Sequence, residues 1–179
     1  MMDVFEQKNV LDSMKILIDT REQPSKRAER RYESFGVPYE RATLSYGDYC
    51  YNAVLPNGEL LYDRNRTLTP LCVVERKMNL DELAQCLTRS RERFKREFER
   101  AQEQGARIFL VVENASWENL LNGKYRTRMT PAAFEGSLMA WIVRYDLGLI
   151  FCKEETSGRL IKDLLYRDLK ERLERGELG

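Results

Sequence analysis

Val73-Val74-Glu75-Arg76-Lys77 puts an acid and a lysine two residues apart on a run of β-branched residues. A β-strand sends alternate side chains to opposite faces, so Glu75 and Lys77 emerge together while Arg76 points the other way. Two ionisable groups on one face of an apolar strand are costly to place without partners. A divalent cation and a phosphate would supply both, which suggests metal-dependent phosphodiester hydrolysis. Two further acids stand at predicted strand ends: Asp19 closes Lys15-Ile16-Leu17-Ile18, and Asp48 follows Gly47 at the start of a hairpin. Carboxylates about 4 to 6 Å apart repel unless a cation lies between them. Asp19, Asp48 and Glu75 are therefore expected to converge around a shared Mg²⁺ or Mn²⁺, with Lys77 orienting or deprotonating the attacking water or stabilising the phosphate.

Composition removes the rival chemistries. The 179 residues contain no histidine, so Ser-His-Asp and Cys-His hydrolases, HNH-type and HD-type metal sites and zinc proteases are excluded within this chain. Carboxylate, lysine and a hard cation remain. The four cysteines, Cys50, Cys72, Cys86 and Cys152, form no CxxC pair and read as small core residues or free thiols. A net charge of +1, with 33% of residues charged, argues against an indiscriminate polyelectrolyte binder. No apolar run approaches the roughly 18 residues of a membrane helix. The start Met1-Met2-Asp3-Val4-Phe5-Glu6 lacks the regions of a signal peptide, so a cytoplasmic protein with no membrane contact is expected.

The elements that must position these groups alternate between strand and helix. Residues 1–13 read as a flexible or docking extension, and 14–179 as one domain. A strand over Lys15–Asp19 is followed by a helix from Pro24 to about Phe35, a strand from Tyr39 to Leu44, and a hairpin from Gly47–Val54 into Glu59–Tyr62. Leu71–Lys77 is the central strand. Asn79 caps one long helix running to Gly105, whose apolar stripe Leu80, Leu83, Ala84, Leu87, Phe94, Phe98 and Ala101 is interrupted at Arg91. A strand over 107–112, a short helix over 116–121, a helix opened by Thr130 and Pro131 to about Tyr145, a strand over 148–152 and a charged helix over 155–175 complete the chain. The fold class is α/β, a mixed central sheet flanked by helices.

Leu17-Ile18-Asp19-Thr20-Arg21-Glu22, Gly47-Asp48-Tyr49 and Val74-Glu75-Arg76-Lys77-Met78-Asn79-Leu80-Asp81 resemble the three signatures of the XPF-type structure-specific endonucleases. The last matches their ERKxxxD pattern at every fixed position, within the PD-(D/E)xK arrangement of restriction-endonuclease-like folds. The likeness spans about Lys15 to Leu165. It implies metal ligation by Asp48 and Glu75, catalytic support from Lys77, and essential roles for Asp19, Arg21, Arg76 and Asp81. Because Arg76 faces away from Lys77, it is expected to pair with Asp81 or Glu22, or to reach DNA from the far side of the strand. Each motif taken alone has a plainer reading: Asp19-Thr20-Arg21-Glu22 as a strand-end turn with a local salt bridge, Gly47-Asp48-Tyr49 as a turn. This chain also departs from the family. A hairpin and the loop Asp63–Thr67 separate Asp48 from Glu75, and the helicase region and double helix-hairpin-helix domain of many relatives are not in these residues.

Contacts to nucleic acid are expected from Arg21 and from Arg93, which the family likeness favours. Arg89, Arg96 and Arg100 share its face, although i,i+4 pairs such as Glu92 with Arg96 would give a solvated helix the same composition. The loop Gly123-Lys124-Tyr125-Arg126-Thr127-Arg128 is basic, aromatic and free of acids, so Lys124, Arg126 and Arg128 suit a phosphate or an unpaired base. It also reads as a mobile surface loop. The helix from Pro131 is apolar nearly all round, hence buried or shared with a partner. The resemblance implies a homodimer through this domain. The leading expectation is a Mg²⁺- or Mn²⁺-dependent endonuclease acting on branched, flap or fork DNA in repair or recombination. The competing expectations are a non-catalytic DNA-binding or dimerisation module of the same fold and a sequence-specific restriction-type nuclease.

Overall fold

Strand Lys15–Asp19 (β1) lies inside a six-stranded mixed sheet, in a computed structural model that describes residues 2–178. The other strands are Tyr39–Ala42 (β2), Tyr49–Asn52 (β3), Cys72–Lys77 (β4), Arg107–Glu113 (β5) and Gly148–Cys152 (β6), in the order β2-β1-β3-β4-β5-β6. β3 runs antiparallel to both β1 and β4, while the β1–β2, β4–β5 and β5–β6 pairs are parallel. The parallel half is covered on both faces, as helical crossovers require.

The helices are Val4–Asp12 (α1), Lys26–Glu33 (α2), Leu80–Leu87 (α3), Arg91–Glu103 (α4), Trp117–Leu121 (α5), Pro131–Tyr145 (α6) and Glu154–Glu174 (α7). Strand alternation divides the core. Leu17, Cys50, Val73, Leu110 and Val112 pack with Leu83, Phe94, Phe98, Phe134 and Trp141 of α3, α4 and α6. Ile16, Ile18, Tyr49, Val74 and Val111 pack with Ala28, Tyr32, Ile161, Leu165 and Leu169 of α2 and α7. The period of two along β4 therefore sends Glu75 and Lys77 toward the α3/α4 layer and Arg76 toward the α2/α7 layer.

Four expectations need correction. Residues expected to be a flexible extension form α1, closed by a capping box in which Asp3 and Glu6 satisfy each other's amides, with Val10 buried. The expected single long helix is two: Thr88 turns its hydroxyl onto the Ala84 carbonyl at 2.7 Å, and the chain restarts after Ser90. Such a side-chain bond competes with the helical ladder, and the break falls where the apolar stripe lapses. β2 stops at Ala42, and Leu44 instead bridges to Leu68. The expected hairpin reduces to one bridge, Val54 with Leu60, around Pro56-Asn57-Gly58. Cys50, Cys72 and Cys86 are buried and all four cysteines are free thiols. Among the described residues, no helix is long and apolar enough to cross a membrane.

Candidate active site

Glu75 and Lys77 leave β4 on the same face and pair with each other in a nearly dry setting, at 3% and 5% exposure. Asp48 reaches the same place from the loop before β3. Its amide donates to the Val74 carbonyl at 2.9 Å, and its Oδ2 accepts the Arg76 amide at 2.7 Å, so both its backbone and its side chain are tied to β4. Gly47 makes that approach possible. It has φ of +76°, and a Cβ there would lie 2.6 Å from Val73 Cβ.

The electrostatics follow from this crowding. Burial, and then the charge of Glu75, hold the Asp48 carboxyl well above the usual carboxylate range. Burial would lower the Lys77 ammonium, but the charges of Glu75 and Asp48 outweigh it and raise its pKa above the ordinary lysine value. Lys77 Nζ also stands 4.4 Å from the centre of the Phe94 ring on α4, a cation–π contact that favours the charged form. With both acids beside it, Lys77 carries its charge in the metal-free fold. Asp48 Oδ1 and Glu75 Oε2 have no hydrogen-bond partner among the described residues. Two such oxygens from two repelling carboxylates, without imidazole or thiolate, fit a hard divalent cation.

The expected three-acid cluster is not formed. Among the described residues, no three acids or thiols lie close enough together to hold one ion. Asp19 is buried, but its Oδ1 accepts the Leu44 amide at 3.0 Å and its Oδ2 binds the Arg21 side chain. Each of its oxygens thus has a hydrogen-bond partner. Arg21 continues outward to Glu97 of α4 at 3.3 Å and to the Leu44 carbonyl at 3.3 Å. Burial and the nearby charge of Glu75 raise the Glu97 carboxyl, so Glu97 lines the site. Sequence reading missed it, although an acid between Phe94 and Phe98 on a helix's apolar stripe was the available signal.

On the far side of β4, Arg76 pairs with Glu22 at 3.4 Å and with Glu113 at 3.1 Å, and not with Asp81. Arg31 of α2 joins the same pair of acids, at 2.9 Å to Glu113 and 3.6 Å to Glu22, and Tyr49 donates to Glu22 at 2.9 Å. This network knits α2, the segment after β1, and β3, β4 and β5 beneath the site. Glu113, ending an apolar strand as Asp19 does, carried a legible signal. Arg31 carried none within its charged helix.

Residues 18–164 match the model of the ERCC4 domain. The chain belongs to the ERCC4 domain family. Among solved structures, XPF from Aeropyrum pernix aligns with a TM-score of 0.60 at 21% identity, over 91% of this chain and 69% of that one. XPF from Aeropyrum pernix in complex with DNA aligns with a TM-score of 0.58 at 22% identity, over 88% of this chain and 65% of that one. The chain thus spans about two thirds of the solved chains it resembles. No curated protein sequence matches it. The fold of this ERCC4 domain is that of an XPF-type nuclease domain.

Arg93 is exposed on α4, 5.0 Å from the Phe94 ring that Lys77 also faces. Among the described residues, Arg89, Arg91, Arg93 and Arg96 enter no salt bridge, and the expected Glu92–Arg96 pair does not form, whereas Lys95 reaches Glu99 at 3.9 Å. Lys124, Arg126 and Arg128 are exposed. Asp81, expected at the catalytic centre, accepts the Arg126 amide at 2.6 Å instead.

Proposed function

We propose that this domain is a DNA endonuclease that hydrolyses phosphodiester bonds with Mg²⁺ or Mn²⁺. The observation that carries the reading is the buried Glu75–Lys77 pair held beside Asp48 by the Asp48–Arg76 bond. The family membership and the DNA complex of a structural relative support it. Asp48 and Glu75 would hold the cation, which when bound supplies Lewis-acid polarisation of a phosphoryl oxygen and a more acidic water. Lys77, kept charged, offsets the negative charge that grows on the phosphoryl oxygens. Arg21, whose side chain is half exposed while Asp19 and Glu97 fix it, and Arg93 would orient the flanking phosphates.

The substrate proposed is branched, flap or fork DNA met in repair or recombination in the cytoplasm. A homodimer is proposed through α6, whose outer face of Gly136, Met139, Ala140 and Val143 is exposed and uncharged, Val143 at 82%. Val143→Glu is expected to yield monomers by sedimentation.

Cleavage of plasmid, duplex, flap and fork DNA with Mg²⁺, Mn²⁺ or EDTA, beside Asp48→Asn and Lys77→Ala, tests the reading. Metal-dependent cleavage lost in both variants is expected, and cleavage indifferent to EDTA or to either variant would overturn it. Cuts that follow sequence and ignore junction geometry would indicate a restriction-type nuclease. The competing reading is a DNA-binding module of the same fold, against which the intact Asp48, Glu75 and Lys77 stand. Binding to DNA without cleavage of any substrate would support it.

A further inference from the structure

Asp81 belongs to the ERKxxxD signature yet stands apart from Asp48 and Glu75. It lies in the first turn of α3, four residues past Lys77, and its Oδ1 accepts the amide of Arg126 at 2.6 Å. Arg126 sits in the middle of the strap over residues 122–130 that joins α5 to α6. Among the described residues, every other hydrogen bond of that strap stays within α5, the strap itself or the start of α6. The Asp81 bond is what ties it to the helix following the catalytic strand.

The strap has an inner and an outer side. Tyr125, Thr127 and Met129 are half-buried while Lys124, Arg126 and Arg128 are exposed. The chain bends through residues 125–128, and its three cations are exposed in turn between half-buried neighbours. Tyr125 sets the inner side, its ring 5.2 Å from that of Phe134 and its hydroxyl donating to the Met129 carbonyl at 2.8 Å. None of the three cations is in a salt bridge among the described residues. The exposed basic residues of α7, by contrast, are neutralised by i,i+4 pairs. Unspent positive charge on an ordered strap fits a run of phosphates.

We propose that Asp81 is a positioning residue that latches this strap to α3, so that Lys124, Arg126 and Arg128 meet the phosphates of a nucleic-acid strand entering the site. It holds no metal and touches no reacting atom. The latch rests on the nuclease reading for its substrate, but not for its geometry. A carboxylate accepting a backbone amide makes a strong, short bond, and losing it returns the strap to many conformations. The cations must then be ordered as the substrate binds, so affinity falls and the chemical step does not.

Asparagine separates this role from a catalytic one, since its Oδ1 still accepts the amide but carries no charge for a metal. Trypsin cleaves after each of the three strap cations and so reports the latch without reference to activity. In limited proteolysis of the folded proteins, checked by circular dichroism, Asp81→Ala is expected to be nicked in the strap about tenfold faster than wild type, with Asp81→Asn restoring most of the protection. In cleavage of fork DNA, Asp81→Ala is expected to raise KM about tenfold with kcat within about threefold, and to lower the slope of log Kd against log salt by about 2 to 3. The variant Lys124→Ala with Arg126→Ala and Arg128→Ala, which keeps the latch and removes the charges, is expected to show the same KM and salt effects. Equal trypsin sensitivity in Asp81→Ala and wild type would overturn the latch. A loss of kcat in Asp81→Asn, with the strap still protected, would place Asp81 in the chemistry. A loosened strap with unchanged DNA affinity would overturn the phosphate role. A wild type that neither binds nor cuts DNA would remove the nuclease reading, and the proteolysis would still decide the latch.

Discussion

The Arg76 amide donates to Asp48 Oδ2 at 2.7 Å. That bond joins the loop before β3 to the middle of the ERK segment and holds Asp48 beside Glu75, whose charge adds to burial in raising the Asp48 pKa. Because the folded-state pKa lies above the unfolded one, the unfolded chain releases this proton first. The metal-free fold therefore loses stability as pH rises above the ordinary carboxylate range. Asp48→Asn keeps an acceptor for the Arg76 amide and removes the repulsion. It is expected to raise Tm in EDTA at neutral pH, by roughly 2–4 °C for a gain of about 1 kcal/mol, while abolishing cleavage. Calorimetry on both proteins checks the sign, and a lower Tm would contradict it.

Divalent cations should bind more tightly as pH climbs, since burial and the charge of Glu75 raise the Asp48 pKa and the cation competes with the proton there. Isothermal titration with Mn²⁺ between pH 6 and 8 is expected to show increasing affinity and proton release in wild type. Asp48→Asn is expected to show neither.

Lys77 contributes stability that is present below the ordinary lysine pKa of about 10.4 and is lost only as pH rises through its higher folded value. In EDTA, stability should therefore show no fall from lysine deprotonation up to about pH 10. Lys77→Met is expected to lower kcat by roughly 10² to 10³. It should also cost about 3–5 kcal/mol, because Glu75 is left buried without its partner. Urea unfolding of Lys77→Met alone and with Glu75→Gln measures the coupling, and the double variant should recover part of the loss.

Glu113 is fully buried and receives both Arg31 and Arg76. Glu113→Ala should leave two arginines short of a counter-charge and cost about 3–5 kcal/mol. The measurement is the urea midpoint at constant m value.

Gly47 combines a left-handed φ with the close approach to Val73. Gly47→Ala is expected to cost about 2–4 kcal/mol, from the backbone strain and the clash together. It should also reduce cleavage, because Asp48 moves with the loop. Thermal unfolding and fork cleavage read the two effects separately.

Much of the site was legible because its signals are local. An acid and a lysine two residues apart on a strand must share a face, and Arg76 must take the other, whatever surrounds them. The glycine before Asp48 and the caps at Asn79 and Thr130 are likewise short-range. The partners of these groups were less legible. Glu97 comes from 22 residues beyond Glu75 on a separate helix, and Arg31 and Glu113 are 82 residues apart. A buried charge is placed by what packs against it, and no single segment contains that information.

Sequence alone determined the strand–helix alternation, the exclusion of histidine chemistry and the shared face of Glu75 and Lys77, since periodicity is a property of the chain itself, and the family resemblance implied Asp48 as their companion. Tertiary structure decided which acids remain free. Asp19 has a partner on each oxygen, in Arg21 and the Leu44 amide, and Asp81 meets the Arg126 amide from a distant strap, while Asp48 and Glu75 stand together and each keep an oxygen without a hydrogen-bond partner among the described residues. A carboxylate's role follows from which donors its lone pairs meet, and those donors arrive from segments that only the folded chain brings together.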